Sequence, residues 1–171
     1  AGLRGRIVDF IPGPDSQIYA YCVYIDEHGA PSAGLTVHKL RQSPPRFGVA
    51  RVAEIAPHDD GLREATIELA RRIGHRGIIV AEFKLDPRDG RFRFMEINGR
   101  SVVYNALLRR AGLDLEALAW AEHMGGSETA RVNGWPGVWI HLHADVLYSL
   151  LYRRLERLSA SDIVAPYRRE K

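Results

Sequence analysis

The chain has 171 residues, 46% hydrophobic and 26% charged, with 16 glycines, nine prolines and one cysteine. That balance excludes a disordered, fibrous or disulfide-stapled protein and allows one or two compact units. Its 24 basic and 21 acidic groups leave a net charge of +3, and Arg alternates with Glu and Asp until the final APYRREK, so no stripe suited to a nucleic-acid backbone forms.

Residues 6–11, RIVDFI, read as a short strand closed by the PGPD turn. Residues 16–26 are rich in Tyr, Val and Ile and carry the strongest strand signal in the first third, with 32–40 as the hairpin return. The loop RQSPPRFG, 41–48, follows, its paired prolines excluding a regular ladder, and 49–55 form a further strand. Asp59 or Asp60 caps a helix over 61–77, with Leu62, Ala65, Ile67, Leu69, Ala70 and Ile73 as its apolar stripe and Gly74 or Gly77 at its end. IIVAEFKLD, 78–86, and RFRFMEIN, 91–98, are strands joined by the turn PRDG. Helical patterns cover 103–112, 113–126 and 144–159. Trp120 and Met124 fall at core spacing, and Cys22 alternates into an apolar strand as a small buried hydrophobe. His141 and His143 share one strand face, with no third ligand at metal spacing. The order is α+β, an antiparallel sheet covered by helices on one face.

No apolar run reaches the roughly 18 residues that span a bilayer, and the amino terminus shows no secretory pattern. A cytoplasmic protein without a membrane partner is the expectation. The abrupt start at AGLRGRIVDF and the charged end suggest part of a longer polypeptide.

The chemistry concentrates in AEFKLDPRDGRFRFMEINGR. If the turn pairs Asp86 with Phe92, then Lys84 faces Phe94, Glu82 faces Glu96 and Val80 faces Asn98, which puts Glu82, Lys84, Glu96 and Asn98 on one face. Two carboxylates placed opposite each other call for a cation or for the lysine. Two carboxylates and an amide oxygen, completed by phosphate and water, suit magnesium. A solvated ribbon balanced by local salt bridges is the plainer reading of the same spacing, although Ala81 and Phe83 beside Glu82 argue for an inner strand. Only three of the basic residues are lysines, Lys39, Lys84 and Lys171, and a compact ammonium suits phosphate. No Walker A or Rossmann glycine pattern is present.

The ordered set IPGPD, HKLRQSPP, a helix, AEFKLD and MEINGR, over residues 6 to 115, resembles the carboxyl half of the ATP-grasp fold, in its carboxylate-amine ligase branch. The family pattern of a Glu followed about a dozen residues later by Glu-x-Asn-x-Arg is matched by Glu82, Glu96, Asn98 and Arg100. The resemblance implies an α+β ATP-grasp carboxyl-terminal subdomain of mainly antiparallel sheet packed against helices. Residues 1–126 would form the partial ATP-grasp domain, and 127–171 a helical extension packed on or following it. It implies ATP and Mg2+ as cofactors, with Mn2+ as a substitute, and a ligase that activates a carboxylate as an acyl phosphate for attack by an amine. Glu82, Glu96 and Asn98 would hold the metal, Lys39 the ATP phosphates, and Arg100 the acyl phosphate or substrate carboxylate. Lys39 and Arg100 would thus be catalytic. Asp9, Phe10, Ile11 and Asp15 would contact the nucleotide, Asp15 at the ribose.

Biotin-dependent carboxylases of this fold place a glutamate four residues after the arginine. Tyr104 stands there, which disfavours bicarbonate. The lysines and glycine-rich loop expected upstream are absent, so the implied partners are small-molecule carboxylate and amine substrates together with the missing amino-terminal part of the unit. The isolated piece is expected to be inactive, and a homo-oligomer stays open. The competing class is a non-catalytic nucleotide-binding or structural module that keeps the fold. A nucleic-acid binder rests only on RRLERL and YRREK and is disfavoured.

Overall fold

A computed structural model describes residues 9–154 and 158–168. Six strands, β1 (Ile18–Ile25), β2 (Leu35–Ser43), β3 (Val49–Ile55), β4 (Gly77–Asp86), β5 (Arg91–Asn98) and β6 (Val138–Ile140), form one sheet in the order β5-β4-β1-β2-β3-β6. Every pairing is antiparallel. The helices are α1 (Asp60–Arg72), α2 (Asn105–Arg110), α3 (Leu115–His123), α4 (Leu142–Tyr152) and α5 (Ala160–Val164). The α+β class and the antiparallel sheet are as expected.

Helices cover both faces of the sheet, where the sequence suggested one. Ala20, Cys22, Val37, Ala53 and Val80 pack on one side with Leu107 and Leu108 of α2 and Leu115 and Leu118 of α3. Tyr21, Val23, Ile79, Ala81 and Phe83 pack on the other with Leu62 and Ala70 of α1. Strands β1 and β4 are apolar at both parities because they are inner strands, buried on both faces. The amino end of α1 is capped by Asp59, whose carboxylate accepts from the Leu62 N–H at 2.9 Å. Its buried face is narrower than the apolar stripe suggested: Leu62, Thr66 and Ala70 are inside while Ile73 is exposed. Thr66 fits there because its hydroxyl donates to the Leu62 carbonyl at 2.7 Å.

Several local expectations are corrected. Residues 6–8 lie outside the described residues, and Asp9, Phe10 and Ile11 are irregular rather than strand. Strand β2 continues through Arg41–Ser43 before the proline loop, because irregularities in its pairing with β3 absorb the change of register. Trp120 on α3 and Met124 just past its end are exposed, at 66% and 64%, rather than in the core. His141 and His143 do not share a strand face: His141 caps α4, accepting from the Ala144 N–H, and His143 lies within that helix. Of the last helical pattern, 144–159, residues 144–152 belong to α4, which starts two residues earlier at Leu142, and residues 155–157 lie outside the described residues. Among the described residues no helix is long and apolar enough to cross a membrane.

Candidate functional site

The carboxylate hairpin forms, and its register is informative. Near the turn, Asp86 pairs with Arg91 and Lys84 with Arg93, one residue away from the expected Asp86–Phe92 and Lys84–Phe94 pairings. The PRDG turn closes tightly, with the Gly90 N–H donating to the Asp86 carbonyl at 2.8 Å, and this sets the turn-proximal register. An irregularity between Phe83–Phe94 and Glu82–Glu96 leaves Met95 as the extra residue and restores the expected pairs, Glu82 with Glu96 and Val80 with Asn98. The two carboxylates therefore stand opposite each other on neighbouring strands. Asn98 Nδ2 donates to Glu96 Oε1 at 3.1 Å, which leaves the amide oxygen as a further hard donor.

Lys39 comes to the same place from β2. Strand β1 lies between β2 and β4, with Ala20 opposite both Val37 and Glu82, and Ile18 opposite both Lys39 and Lys84. The small Ala20 side chain leaves room for two long ones to meet above β1. Lys39 Nζ donates to Glu82 Oε2 at 2.6 Å, with the lysine side chain 7% and the glutamate 9% exposed. Glu96 is on the exposed edge strand β5. The site thus has a buried, paired carboxylate facing an accessible one.

Lys84 does different work from its neighbour. Its ammonium donates to the Ile11 carbonyl at 3.1 Å and the Gly13 carbonyl at 2.8 Å, and lies 5.7 Å from the Phe10 ring centre. It pins the irregular segment 10–13 across the end of β4. Burial pushes its pKa down, the nearby Arg46 adds to this, and Asp15 opposes it. Both oxygens of Asp15 accept from the Arg46 N–H, at 3.1 and 3.0 Å. Arg46 holds a left-handed φ of 77° in the loop after a cis Ser43–Pro44 bond. Asp15, Arg41, Arg46 and Arg154 line a cavity of about 660 Å3, a volume in the range of small-molecule and cofactor sites. Asp9 is exposed, and its backbone lies outside any regular element.

Arg100 is exposed and donates to the Ser101 carbonyl at 3.1 Å. The turn that carries it is fixed from behind, since the Ser101 hydroxyl and Asn105 Nδ2 both donate to Glu116 at the start of α3, the second at 2.8 Å. Tyr104 does not reach the surface of the site. It is 1% exposed and packs edge-on to Trp139. Burial beside Cys22 and Glu82 raises its pKa well above 10. The same burial, with Glu82 adding to it, pushes the Cys22 thiol up to about 12, so the cysteine is an inert core residue.

Sequence reasoning missed a second charged cluster, whose Arg41 lines the cavity beside Asp15. Arg41, two residues beyond Lys39, makes a two-pronged contact with Asp145 of α4 at 2.7 and 2.6 Å, and Arg51 Nε reaches the same carboxylate at 3.0 Å. Asp145 is fully buried and also accepts from the Tyr167 hydroxyl. Arg41 further donates to the carbonyls of Asp162 and Ile163, so it ties the closing segment to the sheet. The available signal was an acidic residue inside an apolar helical pattern.

The donor set at Glu82, Glu96 and Asn98 is all hard oxygen and fits Mg2+ or Mn2+ in type. Among the described residues no group of three or more His, Cys, Asp or Glu gathers into a metal cluster. A cation here would take its remaining ligands from water or phosphate.

Residues 55–122 match the family described as the carbamoyl-phosphate synthase L chain, ATP binding domain. The chain is similar to the D-aspartate ligase of Enterococcus faecium (strain Aus0004), 27% identical over 118 residues, which covers 67% of this chain and 28% of that protein. Among solved structures it resembles the biotin carboxylase–βγ-ATP complex from Campylobacter jejuni, with 24% identity, a TM-score of 0.51, and coverage of 62% of this chain and 24% of that one. It also resembles the phosphoribosylaminoimidazole carboxylase ATPase subunit from Aquifex aeolicus, with 14% identity, a TM-score of 0.58, and coverage of 77% and 45%. At these identities the structural likeness is one of fold. The chain spans less than a third of the curated relative it matches.

Proposed function

We propose that the chain is the metal- and phosphate-handling part of an ATP-grasp ligase, dependent on ATP and Mg2+, which activates a carboxylate as an acyl phosphate for attack by an amine. The observation that carries this reading is Glu82 opposite Glu96, with Lys39 on the first and Asn98 on the second. Bound magnesium would supply charge compensation and orientation at the terminal phosphates. Lys39 would then place its ammonium against phosphate oxygen. Arg100, braced through Ser101 and Glu116, would offer its forked donors to the carboxylate being phosphorylated. Asp15 and the carbonyl-rich segment 10–13, held by Lys84, would seat the nucleoside beside the 660 Å3 cavity.

In the forward reaction the carboxylate oxygen attacks the γ-phosphorus, ADP leaves, and the amine nitrogen then displaces inorganic phosphate from the acyl carbon. The charges on this chain act by screening two anions so that they can approach. Tyr104 points away from bicarbonate as the carboxylate, and likeness to a D-aspartate ligase supports an amino acid as one of the substrates. The whole unit would include a further amino-terminal part that closes on the nucleotide. The second reading, a nucleotide-binding module without turnover, draws on the direct pairing of Glu82 with Lys39.

The test is Mg·ATP binding and ADP release, across a panel of amino acids and small peptides, in a chain completed upstream. Both activities should collapse in Glu96→Ala. Unchanged Mg·ATP affinity and turnover in that variant would sink the assignment. Retained nucleotide binding with no ADP release for any pair would favour the module.

A further inference from the structure

The Lys39–Glu82 pair gives the candidate metal site a property that its ligand set alone does not. Of the two facing carboxylates, the exposed Glu96 accepts from an amide N–H, whereas the buried Glu82 is paired with an ammonium at 2.6 Å. A metal on Glu82 would meet that ammonium at like-charge distance, and the burial of both side chains leaves little water to screen the repulsion. With the ammonium gone, the same carboxylate would be buried and charged without a partner, which is costly.

We infer that Lys39 is a built-in stand-in for the divalent cation: it occupies the cation's place on Glu82 in the free protein and is displaced from it when the metal binds. This rests on the reading of Glu82 and Glu96 as metal ligands. The freed ammonium is the group proposed above for the phosphates, so each ligand helps the other. An anionic polyphosphate draws Lys39 off Glu82 and opens the metal's seat; the metal releases Lys39 toward phosphate. Metal alone therefore binds weakly, and metal and polyphosphate bind with positive coupling, as linkage requires of two ligands that favour the same rearrangement.

The inference is tested on the 171-residue chain with Mn2+ as the probe, its binding followed by electron paramagnetic resonance. Lys39→Gln, which removes the charge and keeps a donor for Glu82, should bind Mn2+ at least tenfold more tightly than the unmodified chain. Lys39→Arg, which keeps a cation on Glu82, should bind like the unmodified chain. Adding Glu82→Gln to Lys39→Gln should abolish the gain. Because Lys39→Gln could be poorly folded, the unmodified chain is also read directly. Titrating Mg2+ should shift the Lys39 ammonium resonance and speed its hydrogen exchange as the pair opens. Equal Mn2+ affinity in the unmodified chain and Lys39→Gln, or a Lys39 resonance unmoved at saturating Mg2+, overturns the stand-in role and leaves the metal site itself in place. Absence of Mn2+ binding in every variant overturns both.

Discussion

The Tyr167 hydroxyl donates to Asp145 Oδ2 at 2.7 Å, so the closing 3-10 turn of the chain hangs on the same buried carboxylate that receives Arg41 and Arg51. Burial first, and then the hydrogen bond to and charge of Asp145, push the Tyr167 pKa up to about 12 from an ordinary 10. The unfolded chain loses this proton first as pH rises. The tyrosine's contribution is therefore complete below pH 10 and fades as pH climbs through about 12. Tyr167→Phe should cost about 1.5–3 kcal/mol at neutral pH, the usual worth of a hydrogen bond to a charged group. It should also flatten the alkaline loss of stability between pH 10 and 12. Urea melts of both proteins over that range check it, and parallel pH slopes would contradict it.

Asp86 works at the other end of the pH scale. Arg88, through side-chain and backbone donors at 2.6 to 3.1 Å, holds its carboxyl well below the usual carboxylate range, with Arg93 adding charge. A depressed pKa stabilises the fold above the unfolded value near 4, and that stability is lost as pH falls toward the folded value. Asp86→Asn should remove part of the acid sensitivity below pH 4 and loosen the PRDG turn. Denaturation curves at pH 6, 4 and 2.5 are the measurement: the gap between the two proteins should narrow as pH falls.

What the sequence made legible follows the strength of local signals. The hairpin itself could be read because a turn signature joins two alternating segments, but its turn is one residue tighter than expected. The bulge at Met95, which has no distinct residue signature, offsets that difference, and so Glu82 still faces Glu96. Helix α4 could not be read correctly from hydrophobicity. It buries Asp145 and Ser149 and leaves Leu147, Leu150 and Leu151 exposed, the reverse of an apolar stripe facing a core. The reason is electrostatic. Two guanidiniums buried on β2 and β3 need a carboxylate, and that requirement sets the rotation of the helix. The Lys39–Glu82 contact was hidden for a different reason: it crosses the intervening strand β1, so no local pattern in the sequence joins the two residues.

The loop that presents Arg46 to Asp15 depends on Gly48. A Cβ at Gly48 would fall 2.0 Å from the Ser43 carbonyl carbon and 2.4 Å from the Pro44 oxygen, both backbone atoms that cannot swing aside. Gly48→Ala should destabilise by at least about 2 kcal/mol and pull the Arg46 N–H from Asp15. Gly90→Ala is the control, since a Cβ there meets nothing within 4 Å and only its φ of +69° is strained; the expected cost is about 1 kcal/mol. Thermal melts that rank the two variants the other way would show that the loop rearranges freely.

Stability and function can be separated at the Lys39–Glu82 pair. Removing one partner leaves the other charged in a buried place, so Glu82→Leu alone should cost about 3–5 kcal/mol. Replacing both, as in Lys39→Met with Glu82→Leu, removes two desolvated charges together and supplies apolar volume above Ala20. That double variant should lie within about 1 kcal/mol of the unmodified chain, on either side. It should nevertheless bind no Mn2+, because one of the two facing carboxylates is gone. A pair kept only for folding would instead show a large cost in the double variant as well. The discriminating measurement is therefore a double-mutant cycle in urea with metal binding on the same four proteins. Near-neutral stability with complete loss of metal binding is the outcome expected of a charged pair whose placement serves chemistry.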